Sequence, residues 1–294
     1  MNLIVDLGQS GARVKVGEVV TSFEIAKNSV ETVVETLERI FKKMPVGSFE
    51  SSYLSLTGLQ GDVKDPKPYG ELCNRYFKST NVCVMDDGIA SYLGALGDRD
   101  GVVLTLGGGV VAIASNNGRF GHADGKGPIF GDFGGGFWVG QSAMRLAIAK
   151  LDGRGSSTEL VQLLDEELIE YRSLANTTGV EASQLCIRTA KKVASGAESG
   201  VVDARRILEE GAHYLAMTIQ AAWNKVKKGD ETPFLSIQGG LSKSSIYVEL
   251  IKESVKEYLP IEYVPGEGDH LLGAPRAAAK YSTDVSPLLK WWRA

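Results

Sequence analysis

Residues 2–16 read NLIVDLGQSGARVKV, and the remainder of the chain is understood outward from them. Leu3, Ile4 and Val5 form a short apolar run that ends at Asp6, a carboxylate at a strand tip. Gly8, Gln9, Ser10 and Gly11 then turn the chain, after which Arg13, Val14, Lys15 and Val16 alternate polar with apolar. The pattern predicts a hairpin with a glycine tip. Unsubstituted N–H groups along such a turn can point at a phosphate, and an Asp at its mouth can hold a hydrated Mg2+. For one such segment alone, an ordinary hairpin turn is the better explanation.

The device recurs. Residues 101–106, GVVLTL, are apolar, Gly107, Gly108 and Gly109 turn them into residues 110–114, VVAIA, and Asn116-Asn117-Gly118 leads into a third strand. Residues 19–25 supply the matching third strand of the first copy. Two β-meanders, each followed by helices, predict a duplicated α/β domain. The two glycine tips are expected to face one another across a cleft, with a nucleotide's phosphates held between them.

At 294 residues the chain exceeds what one core usually spans, so two domains are expected. A net charge of −4 without long single-sign runs implicates neither nucleic acid nor an anionic membrane surface as partner. No run approaches the ~20 apolar residues of a membrane span, and the chain enters a strand at once, so neither a span nor a signal peptide is expected and the expected compartment is cytoplasmic. Cys73, Cys83 and Cys186 are widely spaced, which argues against a disulfide framework, a zinc site or an iron-sulfur cluster and for packing.

Several further segments carry chemistry. Residues 28–31, NSVE, look like a capping box ahead of a helix with Val30, Val33, Val34, Leu37, Ile40, Phe41 and Met44 at helical spacing. Residues 81–85, NVCVM, form a buried strand that delivers Asp86 and Asp87 to the start of a helix. Capping accounts for one of the two carboxylates and leaves the other as a candidate proton acceptor. Residues 125–140 contain seven glycines among sixteen, interleaved with Pro, Ile, Phe and Trp, so the tract is expected to be ordered near a ligand. Asp132 at its centre is a candidate to accept hydrogen bonds from vicinal sugar hydroxyls; the alternative is that it caps a helix over residues 137–151. Gly239 and Gly240 at a strand-to-helix junction suit an adenine or ribose contact, although a plain tight turn has the same pattern. The wide apolar face of residues 203–226 is core, and His270 is read as a loop or cap residue.

Together these segments resemble the actin-like ATPase and sugar-kinase superfamily, and most closely its branch containing N-acetylglucosamine kinase and the BadF/BadG/BcrA/BcrD-type ATPases. DLGQSGARVKV resembles the first phosphate loop, VVLTLGGGVVAIA the second, DDGIASYLGAL the segment with the catalytic aspartate, GPIFGDFGGGFWVG the sugar-binding and connecting segment, and QGGLSKS the adenosine loop. The resemblance implies two ribonuclease-H-like (actin-like ATPase) domains, residues 1–100 with residues 277–294 packing back on them and residues 101–276, around an interdomain nucleotide and sugar cleft. It implies an ATP-dependent kinase of N-acetylglucosamine, glucosamine or a related hexose, with a partner-coupled ATPase or a non-catalytic sugar or nucleotide sensor as alternatives. Asp87 would take the proton of the sugar's 6-hydroxyl and Asp6 would act on Mg2+ through water. Gly8, Gln9, Ser10 and Gly11 would lie along the phosphates of ATP opposite Gly107, Gly108 and Gly109, Gly239 and Gly240 would face the adenosine, and Gly127, Gly131 and Asp132 would hold the sugar. The partners implied are ATP and a small-molecule sugar, with neither nucleic acid nor membrane, and a homodimer is left open. The sequence departs from the amino-sugar kinase pattern in having Lys126 where Trp is usual, Phe133 where Glu is usual, and Gly108 and Val110 where the second loop usually has Thr and Ser.

Overall fold

The structure is a computed structural model that describes residues 1–8, 11–25, 31–59, 61–174, 179–285 and 287–294. Gln9 and Ser10 of the first glycine tip, and residues 28–30 of the expected capping box, lie outside the described residues. The chain divides into two compact units, residues 1–99 with 266–294, and residues 100–265. In chain order the first run comprises β1 (Asn2–Leu7), β2 (Gly11–Val16), β3 (Val19–Glu24), α1 (Val33–Phe41), β4 (Ser51–Leu56), α2 (Lys67–Phe77), β5 (Asn81–Asp86) and α3 (Asp87–Ala95). There follow β6 (Gly101–Leu106), β7 (Val110–Asn116), β8 (Arg119–Asp124), α4 (Gly136–Leu151), α5 (Thr158–Leu163), α6 (Asp165–Ser173), α7 (Gly179–Glu198), α8 (Val202–Asn224), β9 (Phe234–Gln238), α9 (Ser245–Lys256) and β10 (Glu262–Tyr263). The chain ends with α10 (His270–Lys280) and β11 (Leu289–Arg293).

In the first unit the strands lie in the order β11-β5-β4-β1-β2-β3. The meander β1-β2-β3 is antiparallel, whereas β1, β4 and β5 run parallel, so Leu7, Leu56 and Asp86 all finish at one edge of the sheet. Strands buried on both faces must be apolar, and Leu3, Val5, Leu54, Leu56, Val82 and Val84 are all fully buried. Helix α1 begins one turn later than its apolar periodicity suggests, because the capping box is Thr32 with Glu35: Glu35 N donates to Thr32 Oγ1 at 3.2 Å and Thr32 N to Glu35 Oε2 at 2.7 Å. The chain re-enters this unit at Gly266 rather than at residue 277, because α10 packs closely on α3. A Cβ on Gly94 would stand 2.2 Å from the Asp269 carbonyl oxygen, and one on Gly273 only 1.7 Å from that of Ala90. The final strand β11 pairs antiparallel with β5, and Gly70 of α2 leaves room for the Trp292 ring.

The second unit repeats the arrangement. Its order is β10-β9-β6-β7-β8, with β6-β7-β8 antiparallel and β6, β9 and β10 parallel. Its core is larger. Ile207, Leu208, Leu215, Ile219 and Trp223 line the buried face of α8 against this sheet and its neighbouring helices, and each fully buried aliphatic side chain contributes about 2 kcal/mol by transfer from water. The region after α4 forms two short helices, α5 and α6, with Leu164 buried at their junction. Cys73 and Cys83 are buried packing residues, Cys186 is half-buried, and burial pushes the Cys73 thiol up to about 12. Among the described residues no helix is long and apolar enough to cross a membrane.

Candidate active site

In the first unit, two adjacent carboxylates at the end of β5 do different things. Asp86 is the N-cap of α3: its Oδ1 accepts from Gly88 N at 3.0 Å and its Oδ2 from Gly61 N at 2.9 Å, so both oxygens serve the backbone. Asp87, the first helical residue, is half-buried and has no such duty. The protein packed around it, then the charge of Asp86 and, more weakly, that of Asp6, push its carboxyl up to about 7 against the pull of the Thr57 hydroxyl and the Gly88 N–H. A carboxylate tuned to that range is suited to accept a proton near neutral pH.

Asp6 faces Arg13 across the β1–β2 ladder, and side chains of directly opposed residues share a face. Arg13 Nε and Nη2 both donate to Asp6 Oδ2, at 3.0 and 2.5 Å, while Nη1 donates to Asp269 Oδ2 at 2.5 Å. Asp269 is in turn the N-cap of α10, its Oδ1 accepting from Leu271 N at 3.0 Å, and His270 is the first residue of that helix. Asp6 Oδ1 has no hydrogen-bond partner among the described residues. Neither Arg13 nor Asp269 is marked by the sequence pattern; an apolar/polar alternation treats Arg13 as a solvent-facing strand residue. Gly8 N closes the tip on Gly11 O at 2.9 Å.

The second unit gathers the glycine tip, the glycine-rich tract and the loop after β9. Gly107 N donates to Gly109 O, and the first amides of α4 cap the tip from below, Gly136 N on Gly107 O at 2.8 Å and Phe137 N on Gly108 O at 2.9 Å. The amide groups of Gly108 and Gly109 have no acceptor among the described residues. Gly239, at φ +103°, lies against β6, where a Cβ would meet the Leu106 carbonyl oxygen at 2.4 Å; around Gly107 and Gly240 there is open space. The tract itself is ordered through left-handed backbone at Asp124, Gly125, Gly127, Asp132 and Gly134.

Asp132 does not cap α4, whose N-cap is Gly135. At φ +59° it is held in a conformation that costs a non-glycine residue free energy. Its amide donates to Asp124 Oδ1 at 2.9 Å, and its carboxylate lies so close over Gly109 that a Cβ there would stand 2.3 Å from Oδ2. Its Oδ1 is buried without a hydrogen-bond partner. Burial and then the Asp124 charge raise its pKa, while N–H groups of Val110, Gly127 and Lys126 lower it. A buried carboxylate oxygen without a donor is costly in an empty site, which fits a position awaiting a ligand hydroxyl. Gly131 and Gly127 shape the turn before it, with Gly131 N donating to Gly127 O at 2.9 Å; a Cβ at Gly131 would strike Asp124. Phe133 packs tilted on Tyr214 with ring centroids 5.3 Å apart, and Tyr214 meets Trp138 edge-on at 5.7 Å, while Lys126 is exposed.

These features fit a nucleotide and a cation in a limited sense. Open space at Gly107 and Gly240, with unclaimed amides at Gly108 and Gly109, fits phosphate and nucleoside contacts. No group of three or more His, Cys, Asp or Glu among the described residues could hold a metal by itself. Asp6 Oδ1, unpartnered among the described residues, is the oxygen that would face Mg2+, an ion that keeps several waters and is bound by one or two carboxylates together with phosphates.

Two curated relatives are similar to the chain. N-acetylmuramic acid/N-acetylglucosamine kinase of Clostridium acetobutylicum is 26% identical over 66% of this chain, and N-acetyl-D-glucosamine kinase of Dictyostelium discoideum is 26% identical over 62% of it. The matches span 65% and 60% of those relatives' own lengths. The ROK family glucokinase of Streptomyces griseus, solved with glucose and AMPPNP, superposes with a TM-score of 0.60 at 15% identity, covering 95% or more of both chains (96% of this one, 99% of that one). That likeness establishes the two-domain actin-like ATPase fold. Residues 5–269 match the model of the BadF/BadG/BcrA/BcrD ATPase family, and with both sheets, the hairpin tips and the aspartates in the expected order, the chain belongs to that family.

Proposed function

We propose that the protein is an ATP-dependent sugar kinase that transfers the γ-phosphate to the 6-hydroxyl of N-acetylglucosamine, glucosamine or a related hexose. The observation that carries this reading is the division of labour between Asp86 and Asp87: one carboxylate is consumed by capping, and its neighbour is left with a pKa of about 7. The names of the two curated relatives support a sugar acceptor.

In this mechanism Asp87 accepts the hydroxyl proton as the sugar oxygen bonds to the γ-phosphorus and the bond to the ADP oxygen breaks. Phosphoryl transfer passes through a loose transition state that chiefly needs alignment and charge stabilisation. Asp132 Oδ1 and the backbone of Gly127 and Gly131 orient the sugar, the tips at residues 8–11 and 107–109 lie along the phosphates, and Gly239 and Gly240 face the adenosine. Asp6 would hold Mg2+, which would supply positive charge to the phosphates. Exclusion of water from the reacting phosphate would favour the sugar hydroxyl over hydrolysis. The proposed setting is cytoplasmic.

ADP release from ATP and Mg2+, measured with glucosamine, N-acetylglucosamine, glucose, mannose and no acceptor, tests the proposal. Stimulation by one sugar is the expected result. Equal turnover with every acceptor and with none would replace it by a partner-coupled ATPase, and no turnover at all by a non-catalytic sensor.

A further inference from the structure

Among the described residues Arg13 is the one cation in contact with Asp6, and it is shared. Its guanidinium binds Asp6 Oδ2 through two nitrogens and Asp269 Oδ2 through the third, so a strand side chain ties the first hairpin to the N-terminus of α10. The three side chains together carry one negative charge. Arg13 and Asp269 are 35% and 47% exposed, so solvent screens the pair and its contribution to stability is small. Its effect on an incoming ion is another matter. Without Arg13, a triphosphate approaching this hairpin would meet two bare carboxylates; with it, the group carries a single negative charge and Asp6 Oδ1 has no hydrogen-bond partner among the described residues. We propose that Arg13 is a resident counter-charge of Asp6, which admits the nucleotide's phosphates before a divalent cation is in place and lowers the affinity of the hairpin for the cation alone. The inference rests on the nucleotide reading of this hairpin given above.

Charge variants separate this role from a structural one, because the two ligands respond in opposite directions. Arg13→Ala leaves the group at two negative charges, whereas Asp269→Asn, which keeps the N-cap of α10, leaves it neutral. ATP binding in EDTA and Mn2+ binding without nucleotide are measured on the full chain at low ionic strength. Metal-free ATP affinity is expected to rank Asp269→Asn above wild type above Arg13→Ala, with about tenfold per step, and Mn2+ affinity in the reverse order. Both series contract at high salt, because the charges are partly exposed. Weakening of both ligands by Arg13→Ala, or no change in either, overturns the proposal; the first would make Arg13 a structural prop. Arg13→Gln, similar in length and neutral, replaces Arg13→Ala if the latter does not fold. Wild-type protein that binds ATP but breaks the ranking defeats only the counter-charge role, whereas wild-type protein that binds no nucleotide with or without Mg2+ defeats the nucleotide reading as well.

Discussion

The hairpins β1–β2 and β6–β7 occupy the same place in two sheets that share a strand order apart from the added β11 of the first, and they differ in what stands beside the tip. In the first, the pair one step back from the last cross-strand partners is Asp6 opposite Arg13; in the second it is Thr105 opposite Val111. The first unit thus delivers its carboxylates from the ends of strands, Asp6 from β1 and Asp86 and Asp87 from β5 and the start of α3. The second leaves its tip uncharged and brings Asp132 over Gly109 from a left-handed loop instead. Strand ends are rigid and fix a reacting group, while a loop stabilised by many positive-φ residues can present a buried oxygen to a ligand. On the proposed reading, the first unit supplies the chemistry and the second orients the substrate.

The largest expected effect tests that assignment directly. Asp87→Asn is expected to lower the turnover number by about 10²–10⁴-fold while ATP binding persists, and Asp132→Asn to act mainly on the sugar's KM. Equal losses of turnover from both variants at saturating sugar would abolish the distinction. A stability readout accompanies it. The folded-state pKa of Asp87 is raised from 3.8 to about 7, so its contribution is fully present below pH ~4 and is lost as pH rises toward 7. Asp87→Asn removes an ionisable group that the fold disfavours in its charged form. It is expected to raise Tm at pH 8, where the gain has a ceiling of about 4 kcal/mol, and to have little effect at pH 4. A variant less stable than wild type at pH 8 would mean that the carboxylate is well solvated in the fold.

A smaller effect concerns the uncharged tip. In Gly109→Ala the new methyl would displace the Asp132 carboxylate, and the sugar's KM is expected to rise about tenfold or more. Gly107→Ala has open space around it and is expected to leave the sugar's KM unchanged while weakening ATP. Sugar KM values that move together in the two variants would show that the tip and Asp132 do not form separate contacts.

Much of this was legible in the sequence because it rests on local pattern. The repeated strand, glycine tip and strand predicted both sheets, and the surplus of carboxylates at Asp86 and Asp87 predicted that one would cap and one would remain. The seven glycines of residues 125–140 predicted backbone in special conformations, and five residues from Asp124 to Gly134 have positive φ. What escaped was non-local. The link from Arg13 to Asp269 joins residues 256 apart in sequence, and nothing in a strand's alternation marks one arginine as the partner of a distant helix cap. The capping box at Thr32 and Glu35 was obscured by the preceding NSVE of similar chemistry, whose residues 28–30 lie outside the described residues. Whether Asp132 capped α4 or stood free could be decided only by backbone geometry, since both readings require an Asp before a helix.

The smallest effect sharpens the comparison at the level of tuning. Asp87 is held toward its ionised form by the Thr57 side-chain hydroxyl as well as by the Gly88 N–H, whereas Asp132 is held so by backbone N–H groups that no substitution of a neighbouring side chain removes. Thr57→Val deletes the hydroxyl with little change in volume. A carboxylate that loses a hydrogen-bond donor becomes harder to ionise, so the Asp87 pKa rises and the acid limb of the rate profile moves to higher pH by about one unit. Turnover well above that limb, near pH 9, should stay close to wild type, because Asp87 is then ionised in both proteins. Thr57→Ser keeps the hydroxyl and should keep the profile. A profile unmoved in Thr57→Val, measured as kcat/KM for the stimulating sugar between pH 5.5 and 9, would mean that a group other than Asp87 titrates in the reaction, and with it the reading of β5 as the source of the base would fail.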